Sequence, residues 1–157
     1  MQNRDAIFDE IYKIMPEAYL LSADMGAWGI EKIKLDYPSR FINMGVAEQN
    51  TINVATGLAL GGKSVFVYGI AAFIIFRCYD QIRMMSEMNL PVIIIGVGAD
   101  MTYLTDGASH HAFNDRVLMP LTRNMTVYEP ETPPETTTAI REGFKLKSPV
   151  YVRMVHP

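Results

Sequence analysis

The stretch Val92-Ile93-Ile94-Ile95-Gly96-Val97 decides the fold of this 157-residue chain. Its apolar residues run on without a polar alternation, so both faces of the segment must be covered. Strands of that kind belong to parallel sheets with helices on each side. Asn89-Leu90-Pro91 ends a helix before it, and Gly98 opens a polar loop after it.

The same alternation continues outward. Upstream, residues 70–88 read as one long helix with the apolar stripe Ile70, Ile74, Cys78, Ile82 and Met85. Residues 64–68 form the strand before it. A helix over roughly 47–60 comes earlier and is closed by Gly61-Gly62. Residues 41–43 make a very short strand. Residues 24–38, with Gly26, Gly29 and Pro38, read as a loop with room for a short helix. Residues 19–22 suit a buried strand. The chain starts with an amphipathic helix over 3–15, in which Ile7, Ile11 and Ile14 line one face, Asn3 caps and Pro16 stops.

Downstream, residues 98–111 are a polar loop, 113–121 a short helix and 125–129 a strand. Residues 133–146 are a helix with Pro at its start, where the missing N–H costs nothing. Residues 150–155 are the last strand. The expected fold class is α/β: an open, mostly parallel sheet with helices on both faces.

Composition narrows the function classes. Hydrophobic residues make up 49%, enough for a packed core. The 14 basic and 17 acidic residues give a net charge of −3, without the basic surplus of a nucleic-acid binder. Cys78 is the one cysteine, so neither an internal disulfide nor a multi-thiolate metal site can form. The sequence has no apolar run long enough for a membrane span and no signal-peptide run at residues 1–5. A cytoplasmic protein with one core and no second domain is expected over residues 1–157.

Ligands in such sheets sit beyond the carboxyl ends of the strands, which directs attention to three segments. In Asn43-Met44-Gly45-Val46-Ala47-Glu48 a carboxylate falls in the first turn of a helix. There it can serve chemistry or simply complement the helix dipole. In Gly69-Ile70-Ala71-Ala72-Phe73 the Phe73 ring either faces a planar ligand or joins the core. In Asp106-Gly107-Ala108-Ser109-His110-His111 the loop either binds hydroxyls and shuttles protons or is a solvated surface loop. The two adjacent histidines lack zinc spacing, and only His156 remains elsewhere. GxGxxG, Walker-type and GxSxG signatures are all missing.

Phe41–Gly57, FINMGVAEQNTINVATG, resembles the glutamate motif of the transketolase-type thiamine diphosphate enzymes. The Gly57–Gly62 segment, the Tyr79-Asp80-Gln81-Ile82-Arg83 helix end, the strand at 91–97, the Asp106–His110 loop and Glu129-Pro130 follow in the family's order. The likeness spans roughly residues 18–155 and is to the pyrimidine-binding domain alone. It is similar to the C-terminal section of split transketolases and to deoxyxylulose-phosphate synthase.

The resemblance implies thiamine diphosphate as cofactor, with Glu48 as the carboxyl that bonds the aminopyrimidine ring nitrogen. It implies that Phe73 stacks on that ring, for about 1 kcal/mol, and that Ile70 walls it where a second aromatic is common. Asp106 and His110 would face substrate hydroxyls, with His110 also catalytic. His111 follows where glutamine is common, and Gly98 stands where the sugar transketolases carry a substrate histidine. The diphosphate and its divalent metal, Mg, would be held by a partner chain, with no metal ligand here. A diphosphate-binding domain and a C-terminal domain would lie outside this chain. The implied activity is transfer of a two-carbon ketol unit, or a related carbanion, from a ketose phosphate or α-keto acid to an aldehyde. The chain would be active only with its partner, as a heterotetramer, with a homodimer of this domain as the other assembly. A non-catalytic assembly or regulatory module of the same fold is the contrasting expectation, opposed by the joint presence of Glu48, Phe73 and His110.

Overall fold

Residues 2–155 are described by a computed structural model. Six strands form one sheet: β1 (Ala18–Ser22), β2 (Phe41–Asn43), β3 (Ser64–Ile70), β4 (Val92–Val97), β5 (Thr126–Tyr128) and β6 (Val150–Met154). Their spatial order is β2-β1-β3-β4-β6-β5, and every neighbouring pair is parallel. The VIIIGV segment is β4, buried along its whole length between β3 and β6.

Seven α-helices cover the two faces: α1 (Asn3–Ile14), α2 (Trp28–Asp36), α3 (Glu48–Leu60), α4 (Ala71–Phe76), α5 (Tyr79–Glu87), α6 (Asp115–Leu121) and α7 (Pro133–Leu146). Successive strand residues point to opposite faces, and the core divides accordingly. Phe66, Tyr68, Ile93 and Ile95 meet Ile7, Phe8, Ile11 and Ile140 of α1 and α7 on one side. Val65, Val67, Ile94 and Tyr151 meet Ile52, Ile82 and Met85 of α3 and α5 on the other. Each such buried aliphatic side chain contributes about 1.5–3 kcal/mol.

Three expectations need correction. Residues 24–38, read as a loop with room for a short helix, carry a nine-residue helix, α2, over Trp28–Asp36. Its Gly29 is there for packing: a Cβ at that position would lie 2.2 Å from the Phe8 Cβ. A glycine that lets two helices approach looks, in sequence, like a breaker. Second, the single helix over 70–88 is two helices. Ile70 ends β3, and the chain breaks at Arg77-Cys78, where Cys78 caps α5 at φ −118°, ψ 9°. The Arg77 carbonyl there accepts a 2.8 Å hydrogen bond from Gln49 Nε2 on α3. Third, Asn3 lies inside α1, and Gln2 is the cap, its N–H donating to Asp5 Oδ2 at 3.2 Å. Asn3 Nδ2 donates instead to the Glu131 carbonyl. His156 lies outside the described residues.

The chain runs from β1 outward to β2, then returns past β1 to β3. The strand order therefore reverses beside β1, and in open α/β sheets ligands bind at such a reversal, beyond the strand carboxyl ends.

Candidate active site

Three strand ends converge at this reversal. After β2, Asn43 Oδ1 accepts from the Gly45 N–H at 3.0 Å, and Gly45 takes φ +71°. This tight turn delivers Glu48 as the first residue of α3, with its side chain only 10% exposed. Ile70 ends β3, and Phe73 follows in the first turn of α4. Glu48, Ile70 and Phe73 line one cavity of about 160 Å³, together with Met25, Val46 and the segment directly after β1. All three residues assigned to the cofactor by sequence therefore share one small pocket. Its walls are largely apolar, with the carboxylates of Glu48 and Asp24 as their charged groups.

Arg77 is the residue that the sequence did not reveal. Its Nη1 donates to Glu48 Oε1 at 3.0 Å, and its guanidinium carbon lies 3.9 Å from the centroid of the Phe73 ring. The four-residue spacing from Phe73 is a helical stacking signal. The pairing with Glu48, 29 residues away, has no local signal. Arg77 does not line the 160 Å³ cavity. It lines a second one, of about 500 Å³, on which Glu48, Gln49 and Asn50 also border.

His110 is not among the lining residues of the smaller cavity but packs against one of them, its ring edge-on to Phe73 with centroids 4.7 Å apart and its Nδ1 3.1 Å from Ser109 Oγ. Tyr103 packs beside His110, with ring centroids 6.1 Å apart. Tyr103 also occupies the space over Gly98: a Cβ there would sit 2.0 Å from its ring. Burial pushes the Tyr103 phenol above its ordinary range, against the charge of Arg4 and with that of Asp106. Asp106 and His111 do not line the cavity. Asp106 is exposed in a 3-10 turn, while His111 meets Phe113, and its Nε2 is buried without a partner among the described residues.

Cys78 lies under the site but is no nucleophile. Burial, then the nearby Glu48 charge, pushes its thiol up to about 12, so it stays protonated. Among the described residues, no three His, Cys, Asp or Glu side chains converge as a metal-binding set. No helix among them is long and apolar enough to cross a membrane.

The pocket suits a planar heterocycle. Phe73, Ile70, Val46 and Met25 supply apolar walls, and Glu48 Oε2 has no hydrogen-bond partner among the described residues. No cationic side chain lines it, so it holds nothing that would fix a diphosphate. An aminopyrimidine fits these residues, and the diphosphate of the same molecule does not.

A parallel α/β sheet thus carries a small, largely apolar, carboxylate-bearing pocket at its strand reversal. The chain belongs to the transketolase pyrimidine-binding domain family, whose pattern matches residues 4–156. A protein of Methanocaldococcus jannaschii named as a putative transketolase C-terminal section is 37% identical over 147 residues, covering 92% of this chain and 46% of that one. One of the subunits of an apulose-4-phosphate transketolase, from Actinobacillus succinogenes, is 31% identical over 120 residues, 76% of this chain and 39% of that one. A split-gene transketolase solved as an inactive β4 tetramer superposes with a TM-score of 0.85 at 31% identity, over 98% of this chain and 51% of that one. The chain thus spans about half or less of the length of these relatives.

Proposed function

We propose that this chain is the pyrimidine-binding subunit of a split, transketolase-like transferase, and that its partner chain holds the diphosphate and magnesium. The observation that carries this reading is the shared pocket of Glu48, Ile70 and Phe73 at the strand reversal. When bound, thiamine diphosphate supplies a nucleophilic carbon for breaking and making bonds beside a ketone carbonyl. Glu48 holds the aminopyrimidine by a hydrogen bond through its carboxyl. Phe73 and Ile70 set the plane of the ring and keep water from it. His110, packed edge-on against Phe73 and beside the Ser109 hydroxyl, holds a substrate hydroxyl or moves its proton. Asp106 and His111 belong to the same loop and are proposed to contact substrate from it.

The reaction proposed is transfer of a two-carbon ketol unit from a ketose phosphate or α-keto acid to an aldehyde. The names of the relatives support a separate partner: one is a subunit, one is a section, and the split-gene protein is inactive as a β4 tetramer. A cytoplasmic heterotetramer with its sites between chains is the assembly proposed. The pocket's lining supports the division of labour, since its apolar walls suit a ring and no cationic side chain among them suits a diphosphate.

The test is a reconstituted complex of this chain with the diphosphate-binding chain. Calorimetry should show thiamine diphosphate binding to the complex and weak binding to either chain alone. Glu48→Gln should lower ketol transfer by at least about 100-fold while leaving assembly unchanged. Full turnover with Glu48→Gln overturns the reading. A complex that forms but binds no cofactor supports the non-catalytic module instead.

A further inference from the structure

The break between α4 and α5 falls beside Arg77, whose side chain touches both Glu48 and Phe73. We infer that Arg77 is a positioning residue for the pyrimidine site, fixing the plane of the Phe73 ring and the direction of the Glu48 carboxyl together. The inference rests on the function proposed above and extends it to a residue outside the cavity.

Three contacts carry it. Arg77 Nη1 holds Glu48 Oε1 at 3.0 Å, which leaves Oε2 as the oxygen for a ring nitrogen. The guanidinium lies over Phe73 with its carbon 3.9 Å from the ring centroid, a cation–π distance. Gln49 Nε2, from the residue next to Glu48, binds the Arg77 carbonyl at 2.8 Å. Neighbouring residues of α3 therefore grip both the side chain and the backbone of Arg77. That grip coincides with the break between α4 and α5.

The chemistry calls for arginine. A planar guanidinium can stack on a ring and donate in its own plane to a carboxylate at the same time, whereas a lysine ammonium does one or the other. Holding the fold together is a poor account of this residue. The Arg77 side chain is 48% exposed, so the pair is open to solvent on its arginine side and adds less to stability than a fully buried one. Arg77 borders the neighbouring cavity rather than the one that Glu48 and Phe73 share, so it can orient them without taking up the ring's space.

The experiment compares Arg77→Met, Arg77→Lys and Glu48→Gln in the reconstituted complex. Thiamine diphosphate affinity is measured by calorimetry, the binding geometry by near-ultraviolet circular dichroism, and folding by thermal midpoint. Arg77→Met should weaken binding about tenfold and diminish the dichroism change, with the midpoint unaltered. Arg77→Lys should recover only part of the affinity. Wild-type affinity and dichroism in Arg77→Met, beside a damaged Glu48→Gln, would overturn the role of Arg77 and leave the proposed function standing. Equal losses of midpoint and affinity, both restored by lysine, would make Arg77 merely structural and also overturn the role. Unchanged binding in Glu48→Gln would overturn the proposed function itself, and the Arg77 role with it.

Discussion

Arg153 and Asp115 form an ion pair with no exposed side-chain surface on either partner, Arg153 Nε donating to Asp115 Oδ2 at 2.9 Å. The same carboxylate oxygen accepts from the Tyr151 hydroxyl at 2.7 Å, and Arg153 Nη2 reaches Asp100 Oδ1 at 2.6 Å. One strand, β6, is thereby tied to the start of α6 and to the loop after β4. Removing Asp115 leaves the buried Arg153 Nε and the buried Tyr151 hydroxyl without their acceptor, with Asp100 still pairing the guanidinium, and breaking a buried pair in this way costs about 3–5 kcal/mol. Asp115→Ala should therefore lower the unfolding free energy in urea by that order. A loss under about 1 kcal/mol would mean that the pair behaves as a surface bridge.

Gly98 and Tyr103 cannot be varied independently. Gly98 has φ +71°, and an added Cβ would lie 2.0 Å from the Tyr103 ring. Gly98→Ala should cost about 1–3 kcal/mol from backbone strain and overlap. Combining it with Tyr103→Ala should relieve the overlap and leave only the strain. A double-mutant cycle in urea measures this, and additive losses would show that the ring moves aside freely.

Acid should loosen the contact between α1 and α7 first. Glu10 is buried, and Arg141 donates to it through Nε at 2.8 Å and Nη2 at 3.2 Å. The Arg141 hydrogen bond holds the Glu10 carboxyl below its ordinary 4.5 against the effect of burial, with help from Lys13. A carboxyl whose folded value is depressed stabilises the protein above its unfolded value, and that stability is lost as the pH falls through the folded value. Urea midpoints should therefore decline below about pH 4.5, where an unfolded carboxyl begins to take up its proton. Glu10→Gln should flatten that part of the curve, and a slope as steep as the parent's would count against the linkage.

Phe73→Leu keeps an apolar wall but removes the aromatic face. It should weaken thiamine diphosphate binding to the complex about fivefold, the equivalent of about 1 kcal/mol of stacking. The thermal midpoint should hardly change, since Phe73 is only half-buried. Unaltered affinity would show that the ring faces no ligand.

Much of this protein was legible in the linear order of its residues. β4, written as VIIIGV, and α7, with Pro133 at its start and Thr132 and Glu135 in a capping box, lie where local chemistry demands. Glu48 and Phe73 could be singled out because each follows a strand end, and parallel strands bring their ends to one edge, while Ile70 and the cofactor role of all three come from the resemblance to the transketolase-type enzymes. Asp106 and His111 could be named from their loop, yet the fold leaves them off the cavity, because the loop's own 3-10 turns set where they stand.

The periodicity of apolar side chains and the turn residues between them determined the alternating α/β architecture, since both act over a few neighbouring positions. Only the tertiary structure decided that α2 is a helix, that the chain breaks at Arg77, and that Arg77 joins Glu48 to Phe73. Each of these depends on a side chain remote in sequence: Phe8 against Gly29, Gln49 on the Arg77 carbonyl, and Glu48 on the guanidinium. Such contacts come into being only when the strands have packed and set their flanking helices side by side.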